Sequence, residues 1–98
     1  MVSELIMKLT NKQVIYNCVN ENETLKLAGT IYFNGENVIT QFSGTFTTVE
    51  DEACGDFYYN ETADGKVNRA TNNVPADLVD PTGDLLLATV AEIKKEVL

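Results

Sequence analysis

The chain has 98 residues, 44% of them hydrophobic and 22% charged, with 15 acidic against 7 basic side chains and a formal charge of −8. That size supports one modest hydrophobic core and a single domain over residues 1–98, and the composition excludes a disordered or fibrous chain. The acidic excess disfavours direct binding to a nucleic-acid backbone or an anionic membrane surface, both of which require a basic face. The longest runs of large apolar residues, such as Leu85-Leu86-Leu87, fall far short of the roughly 20 residues that a membrane span needs. Met1-Val2-Ser3-Glu4-Leu5 lacks the basic flank and long apolar stretch of a signal peptide, so a cytoplasmic location is expected.

Residues 3–19 read as a hairpin. A turn at Asn11-Lys12 pairs Leu9 with Val14, Met7 with Tyr16 and Leu5 with Cys18, all six on one face. The competing reading is a short helix over residues 3–9, with Ser3 as N-cap and Leu5, Ile6 and Leu9 as its stripe.

Residues 25–49 carry the clearest pattern. Leu25, Leu27, Gly29, Ile31 and Phe33 alternate with Lys26, Ala28, Thr30 and Tyr32. After Asn34-Gly35-Glu36-Asn37, Val38, Phe42 and Phe46 alternate with Ile39, Gln41, Ser43, Thr45 and Thr47. A period of two predicts two antiparallel strands with one dry and one wetter face, and Asn-Gly is a preferred hairpin corner. A two- or four-residue loop keeps Leu27, Ile31, Phe33, Val38, Phe42 and Phe46 together, with Ile31 pairing near Val38 or Thr40. Gly29 and Gly44 interrupt the dry face and suggest a bend or bulge.

A third hairpin is expected over residues 56–71. Phe57-Tyr58-Tyr59 is strongly strand-forming, Asp64-Gly65 is a second turn signal, and the polar arm Val67 to Thr71 reads as a short edge strand or a loop. Alternation sends Phe57 and Tyr59 to the core and Tyr58 outward.

The C-terminal helix is predicted from Pro81 to Val97. Asp80 is a suitable N-cap, Pro81 suits the first helical position, and Lys94 and Lys95 lie at the negative end. Leu86, Val90, Ile93 and Val97 form a stripe that Leu87 widens, Gly83 is discordant inside the first turn, and Pro75 to Val79 suggests a preceding turn. The fold class is therefore α+β: an antiparallel sheet of about four to six strands built from hairpins, packed by one C-terminal α-helix across its dry face. Leu27, Ile31, Phe33, Phe42, Leu86, Val90 and Ile93 are the expected core.

The chemistry available is limited. Without histidine there is no Ser-His-Asp or Cys-His arrangement and no general base of ordinary pKa near neutrality. Neither nucleotide fingerprint is present. Cys18 and Cys54 fit no redox or zinc spacing and read as small semi-buried thiols. The sequons at Asn22 and Asn60 are chance matches in a cytoplasmic chain. Asn60 to Gly65 faintly matches the start of an EF-hand loop, but position twelve would be Thr71 rather than glutamate, and a hairpin turn explains it better. No catalytic residue, metal ligand or cofactor is expected.

The most site-like feature is an acidic and aromatic stretch. Glu50, Asp51, Glu52, Asp56, Glu61 and Asp64 fall where there is no Lys or Arg, around Phe57-Tyr58-Tyr59. Glu50, Asp51, Glu52, Asp56 and Tyr58 form the candidate partner surface, since charge steers encounter and rings supply contact area. Thr30, Tyr32, Gln41, Thr45 and Thr47 make a second possible contact surface. The expected function is a small acidic, non-enzymatic protein-interaction domain, its partner another protein, a basic one suiting its charge, or a second copy. One alternative is an acidic inhibitor that mimics nucleic acid against a DNA- or RNA-binding protein, marked by regularly spaced carboxylates. Another is a small-ligand-binding domain or enzyme, marked by an enclosed pocket with convergent polar groups. In composition, with abundant Asn and Thr, one arginine and no histidine, the chain resembles small phage or mobile-element proteins, and no motif carries that resemblance.

Overall fold

The computed structural model describes the backbone of residues 4–10 and 13–97; within residues 4–13 only the Ile6 side chain is described. Six strands run in chain order: β1 (Glu4–Thr10), β2 (Gln13–Glu21), β3 (Leu25–Phe33), β4 (Ile39–Thr48), β5 (Ala53–Glu61) and β6 (Val67–Asn72). Each pairs antiparallel with the next in a single sheet of order β1-β2-β3-β4-β5-β6, so β1 and β6 are its edges. A single turn of 3₁₀ helix (Ala76–Leu78) leads into α1 (Val79–Val97), which packs on one face of the sheet.

The first hairpin adopts the predicted register, Leu5 opposite Cys18, Met7 opposite Tyr16 and Leu9 opposite Val14. The helical alternative for residues 3–9 is overturned, because the period of two in Leu5, Met7 and Leu9 matches the partner strand's own alternation. Ser3 and the Asn11-Lys12 turn lie outside the described residues.

In the central hairpin Leu27 faces Phe46, but Ile31 faces Phe42 rather than Val38 or Thr40, and Phe33 faces Ile39 rather than Val38. Ile39 is buried and Val38 only partly so, the reverse of the expected parity. The cause is a five-residue loop. The Asn34 side-chain oxygen accepts from the N–H groups of Glu36 (2.8 Å) and Val38 (3.1 Å), and the Asn34 N–H donates to the Val38 carbonyl (3.0 Å). Thr40 is then left as an extra residue between the Tyr32–Gln41 and Phe33–Ile39 pairs, and this bulge moves Ile39 to the dry face.

Gly29 and Gly44 stand directly opposite one another, with no bulge at that point. A Cβ on Gly44 would lie 2.0 Å from the Ala28 carbonyl oxygen and 2.5 Å from the Gly29 Cα, so β3 and β4 approach as only glycine allows. The Phe57 ring from β5 lies over Gly29 and packs on Phe42 and Phe46, at centroid distances of 4.9 and 5.1 Å. A second bulge sits in β5, where Cys54 and Gly55 together oppose Phe46; Gly55 has φ 125°, and a Cβ there would lie 2.5 Å from Val74 Cγ2.

The helix begins two residues before the predicted start, at Val79. Asp80 is therefore inside the first turn rather than its cap, and Pro81 is tolerated there because first-turn N–H groups have no intrahelical acceptor. Thr82, Leu85, Leu86, Thr89, Val90 and Ile93 form the buried stripe. Leu87, expected to widen it, is exposed, and Leu85 and Thr89 widen the opposite flank instead. All seven expected core residues are buried, joined by Leu25, Ile39, Phe46, Phe57 and Tyr59. One polar tie crosses this core: the Asn20 amide donates to Thr89 Oγ1 at 2.9 Å, and that hydroxyl donates to the Leu85 carbonyl at 2.6 Å.

Candidate functional site

The helix covers one face of the sheet and leaves the other without a covering element among the described residues. Strand pairing fixes what the open face presents. One row runs across all six strands through Ile6, Asn17, Thr30, Ser43, Tyr58 and Ala70. At about 4.8 Å between strands it spans roughly 24 Å. The next row runs Val19, Ala28, Thr45, Asp56 and Asn72. Tyr58 is flanked by the short side chains of Ser43 and Ala70, so its ring stands clear and is 42% exposed, while its neighbours Phe57 and Tyr59 are buried as predicted. Asp56, two positions away, shares this face at about 7 Å. Thr30, Tyr32, Gln41, Thr45 and Thr47 share it too, so Asp56 and Tyr58 of the first contact surface read from the sequence join the second.

Glu50, Asp51 and Glu52 lie elsewhere. They form the exposed turn between β4 and β5, in which the Thr48 N–H donates to the Glu52 carbonyl (2.8 Å) and Asp51 adopts φ 66°. Tyr58 is six residues beyond Glu52, about 20 Å along the strand. The turn faces the β2–β3 connection, through a Val49 N–H to Thr24 carbonyl bond of 3.3 Å. Glu21 and Glu23 therefore join the three turn acids at one end of the sheet, a grouping that sequence reading missed because it depends on the register across three strands. Lys26 projects toward this end from β3 and binds Asp51 at 3.0 Å; that hydrogen bond, the Asp51 charge and the nearby Glu21 hold its ammonium pKa above the ordinary value, against a small opposing desolvation.

On the covered face, polar groups gather where β5 meets the helix. Glu61 accepts from Lys94 Nζ, from the Tyr59 hydroxyl at 2.8 Å and from the Ile39 N–H at 3.2 Å. Burial alone would raise the Glu61 carboxyl, but these bonds and the ammonium charge outweigh it and hold the carboxyl below its ordinary value. The Tyr59 phenol is pushed up, first by burial and then by the adjacent carboxylate. Glu61, Tyr59 and Lys94 border an open cleft of about 520 Å³ closed below by the β5–β6 turn. There the Thr62 N–H donates to the Lys66 carbonyl (2.9 Å) and Gly65 adopts φ 88°, so the segment that faintly matched an EF-hand start is a hairpin turn.

Cys18 and Cys54 are free and buried. Burial, with a smaller effect of the Glu96 charge, pushes the Cys18 thiol up to about 12, and burial raises Cys54 as well. Thiols raised in this way stay protonated at neutral pH and make poor nucleophiles or metal ligands. Among the described residues no three Cys, Asp or Glu side chains converge as a metal site, and no helix is long and apolar enough to cross a membrane. No family model, curated protein or solved structure matches the chain.

Proposed function

We propose that the chain is a small non-enzymatic protein-interaction domain whose open sheet face receives a basic partner protein. The observation that carries this reading is Tyr58, an aromatic ring standing clear on a face of small polar side chains with the Asp56 carboxylate beside it. Rigid aromatic rings among short polar neighbours are the usual anchors of protein interfaces. The acids of the Glu50–Glu52 turn act at the rim. A standard interface of about 800 Å² per partner is roughly 30 Å across, enough to reach from Tyr58 to that turn.

The test places a photo-crosslinking amino acid at position 58 and, as a control, at position 64 in the turn at the opposite end of β5. Irradiation in the native host should give an adduct from position 58 and not from 64. Reversing Glu50 and Glu52 to lysine should weaken that adduct, as should raising salt, while leaving the melting temperature nearly unchanged. Identical adducts from both positions, or capture indifferent to charge reversal at every salt concentration, would remove the open face as the partner surface.

A further inference from the structure

The sheet's last strand, β6, has no neighbour beyond it among the described residues, and the first half of α1 runs alongside. Between them lies a cleft of about 390 Å³, walled on the strand side by Arg69 and Thr71 and on the helix side by Val79, Gly83 and Leu87. Of the six large hydrophobic residues exposed among the described residues, Val67 (49%), Val79 (47%) and Leu87 (41%) belong to these two elements. Gly83 is what opens the cleft: a Cβ there would meet only Arg69 Nη1, at 3.5 Å, so nothing steric demands glycine at this helical position. Helix propensity opposes it by about 1 kcal/mol relative to alanine.

Two further features limit what could occupy the cleft. Alternate residues of an edge strand turn their backbone N–H and C=O groups outward, and only water or another extended segment can pair with them in series. Asp80 and Asp84, one helical turn apart on the cleft's rim, have no cation within ion-pair distance among the described residues. With Arg69 the only base in the lining, the cleft carries two negative charges against one positive.

We infer that this cleft is a second docking site, independent of the open sheet face, for an extended partner segment that adds to β6 as a seventh strand. Its inward side chains are apolar and fill the space over Gly83, and a Lys or Arg among them meets Asp80 and Asp84. The acids select against acidic segments, and the open edge selects against helical or proline-broken ones.

A displayed library of random eight-residue segments, panned against the whole chain, tests this. The expected winners alternate apolar residues and carry at least one Lys or Arg. Their synthetic peptides should slow amide exchange over Val67–Asn72 and lose at least tenfold in affinity when alternate peptide nitrogens are methylated. Gly83→Leu, which fills the cleft with a better helix former, should abolish binding while keeping or raising the melting temperature. Asp80→Asn with Asp84→Asn should weaken it at least fivefold, and Tyr58→Ala should leave it unchanged. Failure of the library to enrich, winners without a basic residue, or binding that survives Gly83→Leu overturns the proposal. Self-association of the chain that Gly83→Leu abolishes, with no enriched peptide, overturns it in favour of a second copy as occupant.

Discussion

The second half of α1 is tied to the sheet by polar side chains, while the first half, equally buried along its inner stripe, borders an open cleft beside β6. From Thr89 onward the helix buries Val90 and Ile93, binds Asn20 through Thr89 and ties Lys94 to Glu61. From Val79 to Leu87 it buries Thr82, Leu85 and Leu86 on one side but leaves Val79 and Leu87 exposed beside the edge strand β6. A helix whose sole task was to cap the sheet would gain from closing both halves, by filling position 83 and burying Leu87. The contrast shows which part of the sequence is explained by folding and which part is not.

The contrast is broken most directly by truncation on each side. Ile93→Ala should cost about 2–5 kcal/mol in denaturant melts, the usual range for a buried large-to-small change, and Leu87→Ala should stay within about 0.5 kcal/mol. Equal costs would mean that the helix packs uniformly. Asn20→Ala comes next, at about 1–3 kcal/mol, because it removes a buried bond that joins β2 to the helix. A double-mutant cycle with Thr89→Ala should return a coupling of at least about 0.5 kcal/mol, whereas additive losses would show that the tie is incidental.

The smallest effect is the pH dependence of the Lys94–Glu61 tie. The folded carboxyl sits below its unfolded value, so the native state binds its proton less readily than the unfolded chain does. Its contribution is present above the ordinary glutamic acid value near 4.5 and is lost as pH falls through the lower folded value. Melts of Glu61→Gln should therefore lie below wild type at pH 7 and converge with it at acid pH. Curves that stay parallel down to about pH 2 would show that the carboxylate is not held by its partners.

Local pattern made most of the fold legible. The alternation of Leu27, Ile31 and Phe33 against Phe42 and Phe46, and the helical spacing of Leu86, Val90 and Ile93, depend on neighbouring residues alone, and each is buried on its predicted face, although Ile31 pairs with Phe42 rather than Val38 or Thr40. What escaped depends on contacts that pattern does not encode. The exchange of Val38 for Ile39 follows from one Asn34 side chain that closes a five-residue loop and forces a bulge at Thr40. The helix starts at Val79 because a 3₁₀ turn runs straight into it, which makes a capping aspartate unnecessary. Within the candidate site, alternation correctly placed Tyr58 outward and Phe57 and Tyr59 inward. The same stretch reads as one patch in sequence, yet an extended strand separates its ends, and the gathering of Glu21 and Glu23 with the Glu50–Glu52 turn required the register of three strands.

The order of the elements also governs how the protein is made. Every strand pairs with its chain neighbour, so each hairpin can close soon after it leaves the ribosome, without waiting for distant sequence. The cover for the face that carries Phe42, Phe46 and Phe57 is encoded after all six strands. At about 5–20 residues per second, synthesis of the 19-residue helix alone takes roughly 1–4 s. Until that helix has emerged and docked, any sheet already paired would leave the aromatic rings of this face uncovered. A substitution that slows docking of the helix would then first be felt as aggregation of nascent chains, at temperatures where the finished protein is still folded.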